Sequence, residues 1–277
     1  MPAERTLFDR DSACTLCADM FGFLIKKSFF DVWDNFIGSV LVNLGFVLFM
    51  AIPFAIPFAI VDSLPVLTLI VLALGILLLF VFAGGASLAA RDIADYEGIE
   101  WRALWSYVRQ TWKTSLLFGL INIVLVFLLS VAFPVYTGMD SLFGIAAAAV
   151  LFWAYVIWLL AAQFFFPVRA QLDEKFGKIL KKSFVLFFDN TGYAIGSFIV
   201  LILLTAVSVF TAFLIPGIMG ILVWLQDGVK LRVYKYDYLE ENPDANRRRL
   251  PWDALLVEDR ERVGKRSFRG MIFPWKE

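Results

Sequence analysis

Long runs without charge constrain this chain more than anything else in it. VLTLIVLALGILLLFVFAGGASL and TGYAIGSFIVLILLTAVSVF are two of several such stretches. Each reaches the roughly 20 residues that carry a helix across a hydrocarbon core of about 30 Å. In lipid every backbone group must be satisfied within the protein, so only helices and closed barrels span. Barrel strands are short and alternating, whereas these runs are solidly apolar. Of the 277 residues 60% are hydrophobic, above the about 45–50% of an ordinary soluble chain. The sequence therefore predicts an all-α, polytopic membrane protein.

Six spans are expected: Phe36 to about Ile60, Leu64 to Leu88, Ser115 to Phe133, Leu142 to Val168, Gly192 to Phe213 and Ile215 to Tyr234. Residues 1–20 form a polar arm with no apolar leader, so the first span serves as its own insertion signal. The connections around Asp62, Asp140 and Pro216 contain no Lys or Arg. Basic residues gather in the arm, the even-numbered connections and the tail. Lys and Arg excess marks the cytoplasmic side, which predicts a protein of the cell (inner) membrane with both termini inside. Lys plus Arg equals Asp plus Glu at 25 each, so net charge gives no nucleic-acid reading.

The charge-free connections are short, making three tight hairpins, and an aromatic, charged stretch precedes each: FLIKKSFFDVWDNF, ALWSYVRQTWKTSL and ILKKSFVLFFDNTG. Aligning Lys26 with Lys181 places Trp33 on Phe188 and Asp34-Asn35 on Asp189-Asn190. Aligning Trp33 with Trp112 places Asn43 on Asn122. The even spans end alike, on Arg91 with Asp95, Arg169 with Asp173 and Arg232 with Asp237, and the Arg91–Asp95 spacing favours a local i,i+4 salt bridge. Self-similarity of this kind predicts a repeated unit: an interfacial amphipathic helix, a span, a short turn and a second span. The domain reading is an arm over 1–20, a six-helix membrane domain over 21–238 and a cytoplasmic tail over 239–277. The repeats cover about 21–97, 98–175 and 176–238.

In the first elbow Phe23, Leu24, Phe30 and Trp33 share a helical face, with Lys26, Lys27, Asp31 and Asp34 mostly elsewhere. That suits a helix lying in the headgroup layer. Lys26, Lys27, Trp33, Trp112, Lys181, Lys182 and Phe188 are the expected interfacial anchors, and the Asp-Asn pairs are expected to cap the next span. The rival reading makes the elbows a cytoplasmic docking platform. Intramembrane polar residues are the remaining candidates: Asn43, Asn122, Gln163, Gln226 and Asp227. Interhelical hydrogen bonds are favoured for the Asn pair, with a substrate site between repeats as the alternative. Asp227 is expected to pair with Lys230 three residues on, its alternative being a proton- or cation-coupling role. Gly84-Gly85 and Gly217-x-x-Gly220 suit close helix packing.

No His is present, which removes His-based acid–base work and His metal ligation, and neither a Walker nor a Rossmann glycine motif occurs. Cys14 and Cys17 form an isolated CTLC, read as ordinary thiols with no partner set for an intramolecular zinc site. Catalytic residues, metal and cofactor are all expected to be none. The Arg247–Arg249 run suits anionic headgroups, and Phe268, Met271, Ile272, Phe273 and Trp275 suit a return to the membrane surface or the inner connections.

The basic even-span end followed by R-x-x-x-D and WSYVRQTWKTSLLFGLI resembles the YesL-like bacterial integral membrane proteins. The KKSF-x-x-x-W-x-N elbow also looks like the membrane domain attached to some glycerophosphodiester phosphodiesterases. The likeness covers roughly residues 20–238, and the long tail departs from both. The YesL-like resemblance implies sugar-uptake contexts, and the phosphodiesterase resemblance carries over no catalytic residue. Together these features predict a non-enzymatic scaffold or accessory subunit of a transport or envelope system. Its expected contacts are the bilayer and a protein partner on the cytoplasmic side, and no oligomeric state is set. The alternative is a small-solute transporter with its site between the hairpins.

Overall fold

A computed structural model describes residues 20–60, 62–246, 250–264 and 266. The CTLC motif, Arg247–Arg249 and the apolar end from Phe268 to Trp275 lie outside the described residues. Among the described residues eleven helices follow one another: α1 (20–34), α2 (Phe36–Ile60), α3 (Pro65–Ala94), α4 (Leu104–Thr137), α5 (Leu142–Ala162), α6 (Phe165–Gln171), α7 (Phe176–Asp189), α8 (Thr191–Phe210), α9 (Gly217–Glu241), α10 (Trp252–Leu255) and α11 (Val257–Val263). No strand occurs among the described residues. This is an all-α, multi-pass membrane protein, with five helices among the described residues long and apolar enough to cross a bilayer: α2, α3, α4, α5 continued through α6, and α8. The expected sixth, α9, is 25 residues long but carries Asp227, Lys230, Arg232 and Lys235.

α3 is the central helix, and its composition explains why. Ala83-Gly-Gly-Ala-Ser-Leu-Ala-Ala90 is buried throughout, and small residues let backbones approach where lipid removes the hydrophobic drive. Gly84 faces Ser115 and Thr111 of α4, and Gly85 faces Val108. Ala86, Ala89 and Ala90 meet Met219, Leu222 and Val223 of α9 on another side. A second cluster joins α4, α6 and α8, centred on Phe118 and Phe165 with stacked rings 3.8 Å apart.

The elbows depart from a uniform pattern. α1 and α7 are separate helices, but the second elbow is continuous with its span in α4. The cause is local: where the first elbow ends in Asp34-Asn35, the aligned residues are Lys113-Thr114, which give no break. Nor do the Asp-Asn pairs cap the span that follows. Asn35 donates to the Asp31 carbonyl at 3.1 Å and Asn190 to the Leu186 carbonyl at 3.2 Å, each closing the helix behind it. They end elbows, each side chain adding a second donor to a carbonyl that the same residue's N–H already meets.

The third hairpin is also unlike the other two. α8 and α9 run antiparallel, tied by Trp224 to Ser197 at 3.0 Å and by the Gly217 N–H to Ser208 Oγ at 3.0 Å. Their connecting turn meets α2 at Asn43 and Phe46. At 1.5 Å per residue, that is only about 10–15 Å along a helix that continues to Ile60. The tip stops partway up the bundle.

Candidate functional site

The main charged constellation sits where α1, the C-terminus of α3, α9 and α11 converge, at the end of the bundle where Lys and Arg gather. α1 turns inward Met20, Leu24, Lys27, Ser28 and Asp31, a stripe at helical spacing. Lys27, expected as an interfacial anchor, has no exposed side-chain surface. Its ammonium lies 2.5 Å from Asp31 and 2.8 Å from Asp227, which is itself fully buried. The physical reason for this correction is mutual neutralisation: a charged face can turn inward when the facing helix supplies its counter-charge. α7 shows the contrast. It buries the equivalent positions Ile179, Ser183 and Leu186, but Leu186 stands where α1 has Asp31. Without that carboxylate Lys182 stays at the surface, 3.4 Å from Asp173.

Lys27 also donates to the Ala94 carbonyl at 3.0 Å, and Lys230 donates to the same oxygen at 2.9 Å. Two ammonium groups thus meet the C-terminus of α3, the end whose dipole favours cations. Lys230 pairs with Asp95 at 2.9 Å, so the expected Asp227–Lys230 and Arg91–Asp95 pairs do not form. Asp227 is closer to Lys27, and Arg91 takes Asp92 at 2.8 Å.

Tyr96 closes the cluster. Its backbone has φ of 64°, a region that a bulky residue enters only when its surroundings hold it. Lys27 stands 4.2 Å from its ring centre, Lys230 5.2 Å and Arg262 of α11 4.9 Å. Its hydroxyl donates to Asp259 at 2.8 Å. α11 is further fixed by Lys26 donating to the Gly264 carbonyl at 3.0 Å, and beyond it Arg266 grips both Asp34 oxygens at 2.8 Å. Nothing in the sequence pattern announced Tyr96 or α11. The Lys27–Asp31 spacing was the one available signal.

Burial opposes the Lys27 charge, but Asp227 and Asp31 outweigh it and hold the ammonium above its ordinary value. The Asp31 carboxyl is pushed up to about 8, by burial first and then by the charge of Asp227. Folding therefore takes up a proton that the unfolded chain, with an ordinary value of about 3.9, has lost. The stability tied to Asp31 is complete below about 3.9 and is lost as pH rises through about 8. Unfolding titrations in mixed micelles should show stability falling between these pH values, by at most about 1.4 kcal/mol per pH unit. Asp31→Asn should flatten that slope, and an unchanged slope would remove Asp31 as its source.

The intramembrane candidates are not gathered into one site. Asn43 donates to the Leu214 and Pro216 carbonyls at 2.9 and 2.8 Å and accepts from the Met219 N–H at 2.9 Å. Asn122 instead accepts from Trp158 Nε1 at 3.1 Å, within its own hairpin. Gln163 donates to the Ala194 carbonyl at 3.0 Å. Gln226 donates to Ser87 Oγ at 2.8 Å and accepts from Gln171 at 2.6 Å.

Among the remaining anchors, Trp33, Trp112, Lys181 and Phe188 are exposed. Arg169 reaches Glu174 at 3.7 Å, while Asp173 takes Lys178 and Lys182. Arg232 is buried over the rings of Tyr193 and Trp252, at 4.2 and 5.9 Å, while Asp237 is exposed. Comparisons of the chain with protein-family models, with curated proteins and with solved structures give no match.

Proposed function

We propose that the protein is a non-catalytic scaffold or accessory subunit in a bacterial inner membrane, presenting its basic end to a cytoplasmic partner. One observation carries this reading: Asn43, Asn122, Gln163 and Gln226 are each engaged inside the bundle, whereas exposed Lys and Arg collect at one end. There the buried Lys27–Asp227 pair ties α1 to α9, Asp189–Lys235 ties α7 to α9, and Lys26 holds the end of α11 against α1. The contacts of Lys26 and Asp34 with Gly264 and Arg266 bring the C-terminal segment beside the first elbow. That supports both ends lying on the cytoplasmic side, where basic residues concentrate. The resemblance to YesL-like proteins and the three-hairpin repeat belong to the same reading. A transporter would need Asn43, Asn122 and Asp227 around one space, and their contacts lie in three different places.

The test is photocrosslinking in cells. A benzophenone amino acid at Phe188 or Trp33 should give a discrete protein adduct, while one at Leu142, exposed at the other end, should give only lipid. Lipid adducts alone at all three positions would overturn the proposal. So would solute uptake that Asn43→Ala, Asn122→Ala and Asp227→Ala together abolish.

A further inference from the structure

A second polar feature lies apart from the Lys27 cluster. A recess of about 200 Å³ opens at the basic end between α3, α4 and α6, lined by Arg91, Gln110, Arg169, Gln171, Asp173 and Glu174. Arg91 and Arg169 are the equivalent ends of the second and fourth spans, and they converge on this one space.

Arg169 is the unusual member. It is only 7% exposed, yet its acceptors are few. One Nη donates to the Gln110 carbonyl at 3.0 Å, and Nε is buried without an acceptor. The carboxylate it reaches, Glu174, is 3.7 Å away on a side chain that is 82% exposed. A guanidinium has five donors, and burying one without matched acceptors is costly. Asp173, the other acid of the lining, is already taken by Lys178 and Lys182 at 4.0 and 3.4 Å. Around the recess stand Arg91, Arg169, Lys178 and Lys182 against Asp92, Asp173 and Glu174, an excess of one positive charge.

We propose that this recess binds a phosphate group, held between Arg91 and Arg169 with Glu174 displaced from its mouth. A tetrahedral oxyanion supplies the acceptors that Arg169 lacks, and guanidinium pairs suit phosphate geometry. The recess lies at the ends of membrane-spanning helices, where basic pockets meet lipid phosphates. The same chemistry is offered by an anionic phospholipid headgroup and by free phosphate.

The test uses the full-length protein in a neutral detergent, with binding followed by thermal shift and by native mass spectrometry. The probes are phosphatidylglycerol, phosphatidylcholine and inorganic phosphate. Phosphatidylglycerol should bind at least tenfold more tightly than phosphatidylcholine. Competition by millimolar phosphate would show that the site takes the phosphate alone, and lack of competition that it needs the lipid. Arg91→Met should weaken binding by roughly tenfold, the loss of one charge-assisted pair. Glu174→Gln should tighten it by several-fold, because it removes the competing carboxylate while the exposed side chain leaves folding unaffected. Lys181→Ala, on the exposed face of α7, should change nothing. Binding of phosphatidylglycerol and phosphate that is absent, or that responds to neither Arg91→Met nor Glu174→Gln, would overturn the assignment.

Discussion

Lys27→Met is expected to destabilise the protein by about 3–5 kcal/mol, the cost of breaking a buried ion pair by removing one partner. The substitution is nearly isosteric along its stem, so packing changes little. What it leaves is two buried carboxylates, Asp31 and Asp227, facing one another without a cation. It also removes a donor from the Ala94 carbonyl and a cation from the Tyr96 ring. Reversible unfolding in mixed micelles measures the loss. Adding Asp31→Leu and Asp227→Leu to Lys27→Met should restore most of it, since a well-packed apolar replacement for a buried ion cluster is often neutral or better. α7 already carries a leucine, Leu186, where α1 has Asp31. A Lys27→Met protein of wild-type stability would mean that the ion cluster does not hold α1 to α9.

Asn43→Ala should cost about 2–4 kcal/mol, far more than Asn122→Ala at about 1 kcal/mol. The two asparagines align in sequence but do different work. Asn43 engages three backbone groups at the α8–α9 turn: the Leu214 carbonyl, the Met219 N–H and the Pro216 carbonyl, which also accepts from the Gly220 N–H. Each buried group left open costs about 1–3 kcal/mol. Asn122 serves Trp158 and a carbonyl of its own helix. Asn43→Asp should be no better than alanine, since a carboxylate can accept from Met219 but faces two carbonyl oxygens. Equal losses at 43 and 122 in the same unfolding assay would contradict this division.

The membrane class was legible in the sequence because hydrocarbon imposes one rule on every crossing segment, and the long apolar runs obey it visibly. The hairpins and two of the three elbows followed from charge placement and from the Asp-Asn breaks. The partners of the charged residues were not legible. Spacing along one helix suggested Asp227 with Lys230 and Arg91 with Asp95, but a buried charge is settled by whatever helix faces it. For Asp227 that helix lies two hundred residues away in the chain. Lys27 was misplaced for a related reason: a KK pair beside a span reads as a surface anchor unless the opposing carboxylates are known. One clue was present, in that KKSFFD and KKSFVL differ at the inward position, Asp31 against Leu186.

The short reach of the third hairpin has a consequence for the lipid around it. Past its tip α2 continues with Phe49, Ile52, Ile56 and Phe58, all exposed, while the tip itself presents Phe210 and Ile215. On one flank the bilayer meets the full length of α2 to α5, and on the other a much lower wall. Lipids meet such mismatch by thinning or by filling the step, at fractions of a kcal/mol per Å. The molecule therefore asks its surroundings for two thicknesses at once, and acyl chains standing on the α8–α9 tip complete its shape.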